Sequence, residues 1–226
     1  MHRSGIEKRP KGHGRSVFDM NTTIDSLTLD VPDVDAARSF YAEAFDLGDR
    51  LRFRAADAPS SGFRSYTLSL VVSQPANVHV LVDAAVAAGA IVIKPVSKSL
   101  WGVGGTIQAP DGAIWKVATS AKKDTAHPSR TVDEIVLLLG AKDVVASKAF
   151  YADRGIPVGK SFGRSYVQFD TGGSPIGLGL YRHASLAKDA GVPADGSGSH
   201  RITVNGVLGA AVDPDGFVWA PVAVSA

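Results

Sequence analysis

The sequence predicts an α+β fold that is built twice from one repeating unit. Residues 110–117 read PDGAIWKV and return as PDGFVWAP at residues 214–221. Upstream, TIDSLTL at residues 23–29 is matched by TVDEIVL at residues 131–137, and a Phe-Tyr pair follows each of them on a predicted helix. A period of about 100 residues is too long for a solenoid or a propeller repeat. The chain is therefore predicted to contain a duplicated domain.

Each Pro-Asp-Gly sequence predicts a tight turn that leads into a β-strand. Proline fixes φ, aspartate can bond the backbone ahead of it, and glycine accepts the positive φ that closes the turn. The residues after each turn are mostly aromatic or β-branched, and a tryptophan lies three residues after each glycine. Such residues favour strands, so each copy of the motif predicts a hairpin.

In the first copy the pattern predicts two helices among several strands. Apolar residues at helical spacing from Val34 to Phe45 indicate an amphipathic helix. A second helix over residues 76–88 is predicted by its apolar stripe, with Pro75 at its start and Gly89 at its end. Residues 55–62 are predicted to be a loop. The predicted strands cover residues 24–31, 51–54, 66–72, 90–94, 102–108 and 113–119.

The second copy is predicted to contain one helix, over residues 143–154, and no counterpart of the helix at residues 76–88. Residues 188–199 are rich in Gly, Ser, Asp and Pro, which predicts a flexible connection. Neither copy is complete, so we expect the two to share a core. The predicted strands cover residues 132–139, 164–170, 175–181, 200–204, 207–212 and 217–224.

The predicted domain organisation follows from these elements and from charge. Residues 1–20 are expected to be a disordered basic tail or to precede the true start of the protein, for which Met20 is a candidate. Residues 1–19 hold five cationic and two anionic side chains, a net charge of +3, which leaves −1 for the rest of the chain. The first module is assigned to residues 21–120, a polar linker to residues 121–130 and the second module to residues 131–226.

Composition excludes several functional classes. No apolar run approaches the roughly 20 residues that span a bilayer, so no membrane partner is expected. The chain has no cysteine and no recognisable export signal, which favours a cytoplasmic protein. No element carries the aromatic and basic stripe typical of nucleic-acid binding. Open sheet edges would favour self-association as a homodimer.

The combined motifs resemble the vicinal oxygen chelate superfamily, which includes glyoxalase I, bleomycin-resistance proteins and extradiol dioxygenases. The motifs are Ile-Asp-x-Leu on the first strand, Phe-Tyr on the helix, Gly89-Ala90 after the second helix and the Pro-Asp-Gly-x-x-Trp hairpin. The resemblance covers residues 22–224. It implies duplicated βαβββ modules whose curved mixed sheets enclose a cleft, and in metal-dependent members a divalent ion held there by His and Glu.

The metal positions that the resemblance implies hold other residues in this chain. The His of the first strand falls on Ser26, and the corresponding strand of the second copy has Glu134. The Glu that follows the hairpin turn falls on Lys116 and Ala220. The middle His falls on Tyr66 or its neighbour Thr67. We therefore expect no metal cofactor, and the alternative is a non-standard site for Zn, Ni, Mn or Fe around Glu134 and His200.

The sequence thus leads to a hypothesis of metal-independent small-molecule binding, with sequestration of a toxic or antibiotic-like compound as its expected use. Aromatic residues near strand starts could stack on a planar ligand, and a cationic or polar side chain could fix its polar groups. One alternative is a metal-dependent lyase, isomerase or dioxygenase, and another is a module that binds a protein partner. No catalytic residue is identified. The candidate ligand-binding residues are Ser26, Phe63, Arg64, Tyr66, Trp101, Lys116 and Glu134.

Overall fold

The computed structural model describes residues 23–222, which form an α+β fold of helices packed on mixed β-sheets. The predicted basic tail at residues 1–20 lies outside this range. Among the described residues the α-helices are α1 (Val34–Ala44), α2 (Pro75–Ala87), α3 (Val144–Asp153) and α4 (His183–Ala190). The strands of the first copy are β1 (Ile24–Val31), β2 (Leu51–Ala55), β3 (Ser60–Gly62), β4 (Tyr66–Val71), β5 (Ile91–Ser99), β6 (Gly102–Gln108) and β7 (Ile114–Thr119). Those of the second copy are β8 (Glu134–Ala141), β9 (Val158–Phe162), β10 (Tyr166–Phe169), β11 (Ile176–Arg182), β12 (Gly196–Gly198), β13 (Ile202–Gly206), β14 (Ala211–Val212) and β15 (Val218–Ala220).

Equivalent helices in the two copies start with the same local chemistry. The side chain of Asp33 accepts hydrogen bonds from two backbone N–H groups at the start of α1. Asp143 does the same at the start of α3. An aspartate at this position satisfies donors that the helix itself cannot pair, which fixes where each helix begins.

The two copies share both large sheets. The eight-stranded sheet has the order β5-β6-β7-β4-β8-β11-β10-β9, and the five-stranded sheet has the order β14-β15-β13-β1-β2. The copies meet where β4 pairs antiparallel with β8 and where β1 pairs antiparallel with β13. One hydrophobic core contains residues of both copies, including Trp115 and Trp219. The expectation of a shared core is confirmed.

The eight-stranded sheet has one buried face and one face that is partly open. Leu68 lies opposite Trp115 on one side and Leu137 on the other, and all three are fully buried. Their neighbours along the strands, Ser69, Lys116 and Val136, point the other way, because side chains alternate along a strand. We call the face that carries these three residues the open face.

Both Pro-Asp-Gly hairpins are confirmed, since β6 pairs antiparallel with β7 and β14 with β15. Several predicted regions differ from the structure, and the predicted strand at residues 207–212 is one of them, because only its last two residues, in β14, form a strand. The predicted loop at residues 55–62 contains β3, which pairs with β12 in a small ribbon. Strand β9 was not predicted because all five of its residues are exposed, so no apolar alternation marks it. Helix α4 was also missed, and its last three residues lie in the predicted flexible connection at residues 188–199.

The linker at residues 121–130 is fastened to the start of α2. The buried side-chain amide of Gln74 accepts hydrogen bonds from the backbone N–H groups of Thr125 and Ala126. The same amide donates to the carbonyl oxygens of Ala126 and His127, at 3.0 and 3.1 Å. Within residues 23–222 no helix is long and apolar enough to cross a membrane.

Candidate ligand-binding site

A cavity of about 400 Å³ lies on the open face of the eight-stranded sheet, between β5–β7 and the end of α4. Its floor is formed by small residues of β6 and β7, including Gly104 and Ala118. Because these side chains are small, a ligand could approach the backbone closely. The polar and aromatic residues of the lining include Lys94, Ser97, Trp101, Thr106, Lys116 and Asp189.

Lys116 projects from β7 into this cavity. It lies opposite Thr106 of β6 and Ser69 of β4, in the register that defines the open face. Its ammonium group forms a salt bridge with the carboxylate of Asp189 on α4, and the Lys116 side chain is 26% exposed. Lys116 is a candidate ligand-binding residue of the sequence that the structure does place in the cavity lining, and its protein partner there is Asp189.

Helix α4 reaches this position because its apolar residues pack against the open face. Leu186, Ala187 and Ala190 form a small apolar cluster with Phe63 and Ile114. Gly191 ends the helix with a φ of 87°, a conformation that glycine adopts without strain. The last turn of the helix is thereby held over β5 and β7.

Lys94 of β5 binds the carboxyl end of the same helix. Its ammonium group donates to the backbone carbonyls of Lys188 and Asp189, at 3.2 and 2.6 Å. The last carbonyls of a helix have no partner within it and carry partial negative charge, which favours a cation there. Two lysine ammonium groups therefore converge on Asp189, one through its side chain and one through its backbone.

Trp101 stands at the mouth of the cavity and is 84% exposed. It lies in the turn between β5 and β6, where its backbone N–H donates to the hydroxyl of Ser99 over 3.1 Å. The other two tryptophans, Trp115 and Trp219, are buried. A large aromatic side chain left in solvent beside a cavity offers a stacking surface to a planar molecule.

Other predicted ligand-binding residues lie in the interior or elsewhere in the fold. Tyr66 is opposite Leu139 on the buried face, and burial raises the pKa of its hydroxyl far above the usual range. Phe63 is buried beneath α4. Arg64 donates a hydrogen bond to the backbone carbonyl of Asp111 over 2.6 Å, which fastens the first Pro-Asp-Gly turn. None of these three side chains is part of the cavity lining.

Ser26 and Glu134 lie in different sheets. Ser26 is a buried residue of β1 whose hydroxyl accepts a hydrogen bond from the Asn205 amide over 3.2 Å. Glu134 is an exposed residue at the start of β8, and it lies on the open face opposite Val71. It shares that face with Lys116 but is not ion-paired with it.

The residues at the implied metal positions do not fit a divalent ion. In the five-stranded sheet, Asn205 lies opposite both Ser26 and Ala220, so that place offers a hydroxyl, an amide and a methyl group. In the eight-stranded sheet the position after the turn is Lys116, whose charge would repel a cation. Hydroxyl and amide oxygens without a carboxylate or imidazole make a poor site for Zn, Ni, Mn or Fe.

His200 does not join Glu134. The two imidazole nitrogens of His200 lie 2.8 and 3.1 Å from the carbonyl oxygens of Arg64 and Asp215. The imidazole ring also stacks on Phe217 with 4.1 Å between centroids. Arg64 precedes β4, whereas Glu134 pairs with Val71 at the far end of that strand. Across residues 23–222 no group of three or more His, Cys, Asp or Glu side chains is placed to hold a metal ion.

Sequence reasoning missed Lys94 and Asp189. Their contacts depend on α4, and Asp189 lies 73 residues from Lys116 along the chain. A signal was present, because Leu186 and Ala190 recur at helical spacing and Gly191 follows them directly.

Comparison with known proteins gives a likeness of fold. No protein-family model matches the sequence, and no curated protein matches it at a significant level. Glyoxalase I from Zea mays superposes with a TM-score of 0.51 at 13% identity, covering 87% of this chain and 90% of that one. A candidate dioxygenase from Bacillus subtilis superposes with a TM-score of 0.52 at 12% identity, covering 86% of this chain and 72% of that one. The chain has the fold of these proteins.

Proposed function

We propose that this chain, which has the glyoxalase fold, is a small-molecule-binding protein that takes a planar ligand into the cavity beside Trp101 without a metal. The observation that carries the proposal is the 84% exposure of Trp101 at the mouth of that cavity. When a ligand covers an exposed tryptophan beside a concave site, burial of the apolar surface of the indole stabilises the complex. Sequestration of a toxic or antibiotic-like compound is the proposed use.

The dimensions and chemistry of the cavity support a compound with a few rings. A volume of about 400 Å³ lies within the range of roughly 300–1,000 Å³ that is typical of small-molecule sites. Backbone and small side chains form the floor, the indole forms one edge, and the two lysines supply polar anchors. Such a site would hold the rings by stacking and the polar groups by hydrogen bonds.

The side chains at the implied metal positions argue against a resident metal ion. A lysine and an alanine follow the two Pro-Asp-Gly turns, where the metal-dependent relatives implied by the sequence have glutamate. Likeness of fold does not assign an activity, because one fold carries many reactions. The lining of the cavity therefore carries the functional argument.

The experiment is a thermal-shift screen of planar metabolites and antibiotics, followed by calorimetric titration of the compounds that raise the melting temperature. Trp101→Ala should weaken binding of these compounds by about tenfold, since one stacked aromatic ring contributes about 1–1.5 kcal/mol. Phe162→Ala is the matched control, because Phe162 is another exposed aromatic residue but lies on the edge strand β9. Equal affinities for wild type and Trp101→Ala would refute the assignment of the cavity.

A further inference from the structure

We propose that the ligand carries a carboxylate and that this carboxylate displaces Asp189 from Lys116. The inference deepens the proposed function and rests on it, because the displaced contact lies in the lining of the same cavity. Asp189 then acts as an internal substitute for the anionic group of the ligand.

The first support is the charge of the cavity. Lys94, Lys116 and Asp189 are the charged residues of its lining, so the lining carries a net charge of +1. Lys94 forms no salt bridge within the described residues and is paired with helix carbonyls instead. An anion entering the cavity would therefore meet one positive charge that no carboxylate balances.

The second support is the accessibility of the Lys116–Asp189 pair. The Lys116 side chain is 26% exposed and that of Asp189 is 42% exposed. An ion pair in contact with solvent is only weakly stabilising, so a ligand loses little by breaking it. A ligand carboxylate can offer Lys116 the same oxygen atoms that Asp189 offers now.

The third support is the way α4 is anchored. Leu186, Ala187 and Ala190 pack on the open face independently of the salt bridge. His183 adds contacts at the other end of the helix, with its imidazole nitrogens 3.0 Å from the Ser65 hydroxyl and 2.9 Å from the Ala194 carbonyl oxygen. Release of the Asp189 carboxylate would thus leave the helix in place, and the Asp189 side chain could rotate into solvent.

The test compares cinnamate with cinnamamide, two planar molecules that differ in carrying a carboxylate or a neutral amide. Each is titrated by calorimetry into wild type, Asp189→Asn and Lys116→Met. Wild type should bind cinnamate at least about tenfold more tightly than cinnamamide, because only the acid pairs with Lys116. Asp189→Asn should tighten cinnamate binding by about threefold to fivefold and leave cinnamamide within about twofold, because the competing carboxylate is gone and the exposed ion pair that it formed is only weakly stabilising. Lys116→Met should remove the preference for the acid.

Asp153→Asn is the matched control, since Asp153 is an exposed aspartate at the end of another helix, α3. It should leave both affinities at the wild-type values. Equal binding of acid and amide, lost in Trp101→Ala, would overturn the carboxylate inference while leaving the cavity as the binding site. An unchanged cinnamate affinity in Asp189→Asn would also overturn it. Absence of binding by both molecules to all variants would overturn the inference and, together with a failed screen of other planar compounds, the proposed function.

Discussion

The hydroxyl of Tyr151 donates a hydrogen bond to the carboxylate of Asp213 over 2.7 Å, in the interior of the second copy. The indole N–H of Trp219 donates to the same hydroxyl over 3.3 Å. The tyrosine of the Phe-Tyr pair thus joins a helix to the Pro-Asp-Gly hairpin that follows it much later in the chain. In the first copy Tyr41 joins Asp111 and Trp115 in the same way.

The two copies take the carboxylate from different positions of the turn. Asp111 is the central residue of the first Pro-Asp-Gly, whereas Asp213 precedes the second one. The central residue of the second turn, Asp215, instead accepts hydrogen bonds from the Lys142 backbone and the Ser147 hydroxyl. This junction of a tyrosine, an aspartate and a tryptophan is therefore present in both copies, but the accepting aspartate lies two residues earlier in the second copy.

Removal of the hydroxyl from this junction should destabilise the protein. Tyr151→Phe leaves the ring in place but deprives Asp213 and the Trp219 indole of a buried partner. We expect the free energy of unfolding to fall by about 1–3 kcal/mol in urea denaturation, the usual cost of an unsatisfied buried polar group. Tyr181→Phe is the control, since Tyr181 is only half-buried and makes no side-chain hydrogen bond in the described structure. Equal losses in the two variants would contradict the role of the junction.

The pH dependence of stability should report the burial of Asp213. Burial raises the pKa of its carboxyl above the ordinary value of 3.8, and this outweighs the lowering by its hydrogen bonds from Tyr151 and the backbone. A carboxyl whose pKa is raised in the folded state stabilises the fold below the unfolded pKa, and that stabilisation is lost as the pH rises through the folded pKa. Wild type should therefore lose stability relative to Asp213→Asn as the pH rises above about 4. A difference between the two proteins that is constant with pH would contradict the raised pKa.

The two turn glycines should differ in their tolerance of alanine. Gly112 and Gly216 have φ values of 89° and 93°, so alanine is strained at both. At Gly112 an added Cβ would also lie 2.6 Å from the Arg64 guanidinium, whereas at Gly216 the nearest atom is a His200 nitrogen at 3.5 Å. Gly112→Ala should therefore cost about 1 kcal/mol more than Gly216→Ala, because it displaces the hydrogen bond from Arg64 to Asp111. Chemical denaturation of both variants measures the difference, and a larger cost at Gly216 would contradict it.

The linker should become accessible to protease when Gln74 is replaced. Gln74→Ala removes the side-chain amide that fastens residues 125–127, and Lys122 and Lys123 lie beside them. Limited digestion with trypsin should cut this variant at the linker faster than wild type, because cleavage requires local release of the backbone. Gln168→Ala, at an exposed position of β10, should be cut at the wild-type rate. A wild-type cleavage rate in Gln74→Ala would contradict the claim that the Gln74 amide holds the linker in place.

The sequence predicted the elements whose patterns are local. Strand β1, helix α1 and both hairpins combine apolar periodicity with a turn or a cap that marks their ends. Alternation also contained the information that Tyr66 faces the core, because Leu68 and Leu70 share its parity along β4. Tyr66 was instead predicted to bind the ligand, because it lies near the start of a strand.

Elements that depend on distant partners could not be predicted in the same way. Strand β9 has no buried face, and it exists because β10 supplies its hydrogen bonds. Helix α4 has the helical spacing of Leu186 and Ala190, but it is short and is followed by residues typical of a loop, so it was not predicted. Since Asp189 reaches Lys116 only after α4 has packed on the sheet, the paired charges of the candidate site were not evident from spacing.

Titration of cinnamate into protein treated with a metal chelator tests the central claim most directly. We predict one saturable site, with the same affinity after chelator treatment and after addition of Zn, Ni, Mn or Fe(II), and with weaker binding in both Trp101→Ala and Lys116→Met. Binding that appears only when one of these metals is added, and that survives both substitutions, would contradict a metal-independent site at Trp101 and Lys116.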